Sequence, residues 1–220
     1  MKPNTYTSIL ALFCAATTAH ANLILDPGFE NNPLNTYLNV LSNFALNQGQ
    51  WGAEAATITL ATGGATPPEG TRMLSMTGSG GSYQTDQVTN VVGLYSAGDS
   101  VTFSAFFNTP TTVSSAVCGV SITFLSGPNY NTDKIGSLIS NGLTLDGDAN
   151  TWQLNSVSTL IPALTQWIAS EVLYTANAAL GSNPGFVDAA SLTIVPEPGS
   201  TVLFSVACVG IAAFRRRRNA

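Results

Sequence analysis

The feature that most constrains this chain is a period-two alternation of apolar residues in short runs. Val101, Phe103, Ala105 and Phe107 alternate along 100–108, and Cys118, Val120, Ile122 and Phe124 do the same along 117–125. Successive side chains of a strand point to opposite faces, so such runs bury one face and show the other. Glycine, proline and asparagine punctuate the runs as turns do. Further strand candidates are Leu23–Leu25, Ala56–Ala61, Arg72–Thr77, Tyr83–Val88, Lys134–Leu138, Trp152–Leu160, Gln166–Thr175 and Phe186–Ile194. No long segment away from the two ends carries apolar residues at helical spacing. Ten or so short strands in one body predict an all-β fold, an antiparallel β-sandwich or jelly roll over residues 22–195.

The two ends read differently. Residues 1–21 combine a basic start, the apolar stretch Ile9–Ala16 and an Ala19-His20-Ala21 site, which predicts a secretory signal peptide cut between Ala21 and Asn22 by signal peptidase. Residues 196–220 run Pro196-Glu197-Pro198, an apolar helix over 201–214, and Arg215, Arg216, Arg217 and Arg218. Fourteen helical residues rise about 21 Å against a hydrocarbon core of roughly 30 Å, a marginal single transmembrane helix. The four arginines orient it with the body outside the inner membrane.

Charge excludes one class of partner. Residues 22–195 hold eleven acids and only two bases, Arg72 and Lys134. Such a body has no means of neutralising a phosphate backbone, so nucleic acid is not a partner. The single histidine, His20, lies in the signal segment. The mature chain then has no Ser-His-Asp or Cys-His machinery and no imidazole metal ligand. Cys118 is the one cysteine of the body, so no disulfide forms within it, and its place in an apolar alternation predicts a buried, inert thiol.

The Pro196-Glu197-Pro198 tripeptide, short apolar helix and terminal arginine cluster resemble the PEP-CTERM sorting signal of Gram-negative bacteria. That resemblance implies recognition by the membrane enzyme exosortase, cleavage near the tripeptide, and residence at the cell surface or outside the cell in an exopolysaccharide layer. The body has a softer resemblance. The opening Asn22-Leu23-Ile24-Leu25-Asp26-Pro27-Gly28-Phe29-Glu30, the Gly70–Leu74, Tyr83-Gln84 and Gly98–Val101 segments, and the closing Phe186–Leu192 resemble the succession in galactose-binding-like jelly rolls, which include many carbohydrate-binding modules. Asp26-Pro27 and Ala189 depart from the usual opening and closing motifs. The resemblance implies a structural calcium on Glu30 and Asp188, completed by backbone carbonyls. Two other readings stay open: both carboxylates simply accept backbone hydrogen bonds, and Asp26 is either a third ligand or a turn residue.

Asp146-Gly147-Asp148-Ala149-Asn150 looks like the start of a calcium loop, but position twelve is Val157 rather than Glu, so a polar connection between strands is expected. Among aromatic residues, Trp51 and Tyr130 stand in loop-like contexts and are the candidates for packing on a sugar ring, with core packing the competing reading for Trp51. Trp152 and Trp167 lie inside strand patterns and are expected in the core. Glycoside hydrolysis needs paired carboxylates, and nothing in the sequence pairs Glu54, Glu69 or Glu171. The expectation is therefore a protein that is not an enzyme, exported and sorted to the surface, binding extracellular polysaccharide. The alternative is a structural or adhesive matrix protein without a defined ligand.

Overall fold

The structure is a computed structural model and describes residues 21–31, 51–53, 56–60, 66–76, 82–109, 117–130, 132–175 and 185–196. Most of the signal segment, together with Glu197, Pro198, the apolar run 201–214 and Arg215–Arg218, lies outside these. Among the described residues no helix is long and apolar enough to cross a membrane. His20–Ile194 forms one compact unit.

Two five-stranded sheets make that unit. The first runs β1 (Trp51–Ala53), β4 (Ser82–Asn90), β9 (Trp167–Thr175), β6 (Val117–Leu125), β7 (Lys134–Thr144). The second runs β2 (Ala56–Leu60), β3 (Arg72–Met76), β10 (Gly185–Val195), β5 (Ser100–Asn108), β8 (Gln153–Leu160). The strand pairs β1/β4, β4/β9, β9/β6, β6/β7, β2/β3, β3/β10 and β5/β8 are antiparallel. The expected all-β sandwich is what forms.

Its core lies between the sheets. Val101, Phe103, Ala105 and Phe107 from β5 meet Cys118, Val120, Ile122 and Phe124 from β6, with Ile168, Val172 and Tyr174 from β9 and Leu192 and Ile194 from β10. Burying each large side chain contributes about 1.5–3 kcal/mol, which orders the two sheets face to face. Burial also pushes the Cys118 thiol well above its ordinary range, because the thiolate has no solvation there.

The differences from the sequence reading have local causes. β7 continues six residues past Leu138, since the edge strand tolerates Asn141-Gly142. Asn141 donates through Nδ2 to Asn155 Oδ1 and the Ser156 carbonyl, each at 2.9 Å, and its carbonyl accepts from Asn155 Nδ2 at 3.0 Å. Leu23–Leu25 is not a strand. It is held instead by side-chain amides. Asn22 Oδ1 accepts from Leu192 N at 2.9 Å while its Nδ2 donates to the Ala190 carbonyl at 2.9 Å. Gln87 takes both backbone groups of Leu25, at 2.8 and 2.7 Å.

The Trp51 expectation is corrected. Its ring is only 1% exposed, tilts against Phe29 at 5.0 Å, and donates its indole N–H to the Asp26 carbonyl at 3.2 Å. Trp51 is core because β1 turns it inward, in register with Gln87. No sugar reaches it. Trp51→Ala should lower stability by about 3–5 kcal/mol in urea unfolding, the cost of an emptied aromatic core site.

Candidate functional site

Register builds the second face of the first sheet. Because side chains alternate, the residues of β4, β9 and β6 that do not enter the core line up in rows across the sheet. One row runs Gly52, Asp86, Glu171, Ser121, Ser140 over all five strands. Beyond the intervening Val88, Ala169, Thr123 row, a third runs Asn90, Trp167, Leu125, Lys134. Val88, Ala169 and Leu125 form a small apolar cluster beneath Tyr130 and Trp167, both partly buried.

Glu171 is the hub of this face. It is 1% exposed, and Ser121 Oγ donates to its Oε2 at 2.6 Å. Thr123 Oγ1 and Tyr130 O–H donate to its Oε1 at 2.9 and 2.6 Å. Hydrogen bonds to a charged acceptor are the stronger kind, so three of them fix the carboxylate and draw the loop between β6 and β7 over the sheet. Burial, then the neighbouring carboxylate, pushes the Tyr130 phenol up to about 12. Gln84 Nε2 reaches the Tyr130 oxygen at 3.5 Å, and the Lys134 ammonium sits 3.8 Å above the ring centroid. One face of the Tyr130 ring is thus already taken by a cation. Tyr130 is a positioned part of the polar network more than an open stacking platform.

Sequence reasoning missed most of this. Glu171 was visible but had no partner at any readable spacing; Asp86 is 85 positions away. Antiparallel pairing places them directly opposite, Asp86 at 0% and Glu171 at 1% exposure. Strand register, not sequence spacing, sets these two residues opposite each other. Trp167 was expected in the core; it is half-buried on the outer face, because the strand parity that buries Ile168 turns Trp167 away.

A second polar site joins the opening and closing segments. Glu30 Oε1 accepts the Thr71 and Arg72 amides at 2.7 and 2.5 Å. Asp188, wholly buried, accepts the Glu69 amide on Oδ2 at 2.8 Å, while its Oδ1 has no hydrogen-bond partner. Gly70 is required here, with φ +65, because a Cβ would strike the Glu30 carboxylate. Asp26, Phe29 and Ala189 also take positive φ, at 59°, 59° and 48°, strain that the surrounding contacts must hold. Asp26 Oδ1 accepts the Asn31 amide at 3.0 Å, the role of a turn residue. The orphaned Asp188 oxygen and the oxygen-only donor set fit a hard cation. Even so, no group of three acidic, cysteine or histidine side chains able to hold a metal occurs among the described residues. The Asp146–Asn150 connection forms successive side-chain turns, Asp146 on the Asp148 amide and Asp148 on the Asn150 amide.

The chain matches no protein-family model and no curated protein. Its fold is shared with solved structures. TmCBM61 in complex with β-1,4-galactotriose aligns with a TM-score of 0.52 at 16% identity, over 79% of this chain and 98% of that one. The Stig cyclase Fisc from Fischerella sp. TAU aligns with a TM-score of 0.54 at 10% identity, over 82% and 100%. Arabinose-bound MgGH51 α-L-arabinofuranosidase aligns with a TM-score of 0.53 at 15% identity, over 81% of this chain and 27% of that one. These likenesses define a β-sandwich of the kind used by binding modules and enzymes alike. The expectation that the chain is not an enzyme is overturned: a cyclase has this fold over its whole length, so the architecture gives no ground for that exclusion.

Two outcomes follow. Tyr130→Phe should cost about 1–3 kcal/mol in urea unfolding, because Glu171 keeps its burial and loses a donor. Burial, reinforced by the Glu69 and Glu30 charges, pushes Asp188 up to about 7. The unfolded carboxyl titrates near about 3.9, so the folded state binds more protons between these values. That stability is full below about pH 4 and lost as pH rises through 7. The melting temperature in chelator should fall across this window, and Asp188→Asn should flatten the fall.

Proposed function

We propose that the sandwich binds carbohydrate on the outer face of its first sheet, in an exported protein sorted to the cell surface. The observation that carries the reading is that half-buried Trp167 and Tyr130 pack on the same Val88–Leu125–Ala169 cluster of this face, with Lys134 over the Tyr130 ring. An indole offers a flat apolar surface to a sugar ring, with the Asn90 amide opposite it in register, while Gln84 and Lys134 offer donors and acceptors about Tyr130. The neighbour TmCBM61, in complex with galactotriose, supports a sugar as the ligand class. Trp51 has no part in this site.

Export and sorting are supported by the residues of the two ends: the Ala21–Asn22 junction, Pro196-Glu197-Pro198, the 201–214 run and Arg215–Arg218. Signal peptidase and exosortase are the implied processing partners. The purely structural matrix reading is favoured by one observation, that Lys134 already covers a Tyr130 face.

A calcium ion on Asp188 and Glu30, with backbone carbonyls, would neutralise the buried carboxylate and fasten the opening segment to β10. Chelator should then lower the melting temperature and calcium restore it. Indifference to both would leave the clasp to backbone amides alone.

Calorimetric titration with a panel of neutral and acidic oligosaccharides tests the ligand. We expect saturable binding that Trp167→Ala weakens at least about tenfold, or roughly 1.4 kcal/mol, with the fold retained. Absence of binding across the panel would sink the carbohydrate reading.

A further inference from the structure

Half of the eight exposed large hydrophobic side chains among the described residues lie on two loops and the strand end that leads into one of them: Val92 at 61% and Leu94 at 48%, Leu164 at 81%, and Leu160, the last residue of β8, at 56%. The loops are bonded to each other. Val91 N donates to the Gln166 carbonyl, Gly98 N to the Ile161 carbonyl, Ile161 N to the Asp99 carbonyl, and the Tyr95 hydroxyl to the Thr165 carbonyl. Residues 91–98 and 160–166 contain no Asp, Glu, Lys or Arg. Leu164 holds φ +69, a left-handed conformation that costs a leucine energy, and presents its side chain outward while doing so. An uncharged apolar end with a strained, protruding leucine marks an interaction surface.

Strand β10 runs toward this same end. A Cβ on Gly185 would meet the Tyr174 ring at 2.5 Å, so β10 starts beside the far end of β9. Seven residues later its Leu192 carbonyl accepts from Leu23 N, three residues before the strand ends. Two residues on, Leu25 is bonded to Gln87, three positions before Asn90, the register partner of Trp167. Trp167 follows the second apolar loop directly. Six residues, 195–200, separate Ile194 from the apolar run 201–214, a reach of at most about 22 Å.

We propose that loops 91–98 and 160–166 rest on a phospholipid bilayer of uncharged headgroups, Val92, Leu94 and Leu164 entering its apolar boundary. This rests on the proposed membrane-seated tail, whose short tether keeps the apolar end at high effective concentration over the surface. Neither loop carries the cations that an anionic surface would select. A few side chains alone bind a bilayer only marginally, so contact would lapse once the tail is cut.

The full chain reconstituted into phosphatidylcholine vesicles, with and without bromine on the upper acyl carbons, tests this. Trp167, beside the second loop, should lose emission to the brominated lipid, a loss that Trp167→Phe removes from the spectrum. Leu94→Ser/Leu164→Ser should abolish the quenching while the protein still floats with the vesicles. Leu164→Gly should reduce the quenching without lowering the melting temperature, because glycine relieves the positive φ. A chain that floats with no quenching difference overturns the lipid contact and leaves the tail reading intact. A chain that does not float overturns both. A wild-type dimer in sedimentation that the double variant dissolves assigns the surface to a second copy and overturns the proposal.

Discussion

Strand β9 is hydrogen-bonded along both edges, and its register against β4 and β6 is the constraint on which the candidate site depends. That register sends Ile168, Val172 and Tyr174 into the core and turns Trp167 and Glu171 to the opposite face. A slip of one residue would drive Glu171 among Phe103, Ile122 and their neighbours, where a carboxylate has no donor. Glu171 therefore reports the pairing as much as it uses it. Ser121 and Thr123, which donate to it, sit on β6 at the two positions whose parity points the same way.

Much of the fold was legible because alternation is local. The strands at 100–108 and 117–125 coincide with β5 and β6, since each apolar position is answered by the facing sheet. β1 was missed because three residues carry too little pattern, and with it went the parity that buries Trp51. Loop-like neighbours such as Asn47 and Gly49 argued for exposure; one edge pairing with β4 decided otherwise. Leu23–Leu25 failed as a strand for a related reason. Asn22 and Gln87 bond the Ile24 and Leu25 backbone through side chains, an arrangement no periodicity encodes.

The site was less legible than the fold. Asp86, Tyr130, Lys134 and Glu171 are brought together by pairings over tens of residues, and only their chemistry, never their spacing, was in view. The Glu30 and Asp188 positions came from resemblance to an opening and a closing motif. Their placement beside Gly70 and Glu69 adds a reason of its own: a glycine that admits a carboxylate, and a buried oxygen left without a hydrogen bond. Strain collects where these features are. Of the four non-glycine residues with positive φ among the described residues, three lie in the segments of the clasp and Leu164 marks the apolar end.

The proposed sugar site is the outer face of the first sheet. Backbone and indole chemical-shift mapping of the protein during titration with a galacto-oligosaccharide tests it most directly. Sugar bound on that face confines the shifts to the Trp167 indole, Tyr130, Lys134, Gln84 and Asn90, with the Trp51 indole unmoved. Shifts centred on Trp51 and the Glu30–Asp188 clasp, or on the second sheet, would contradict it.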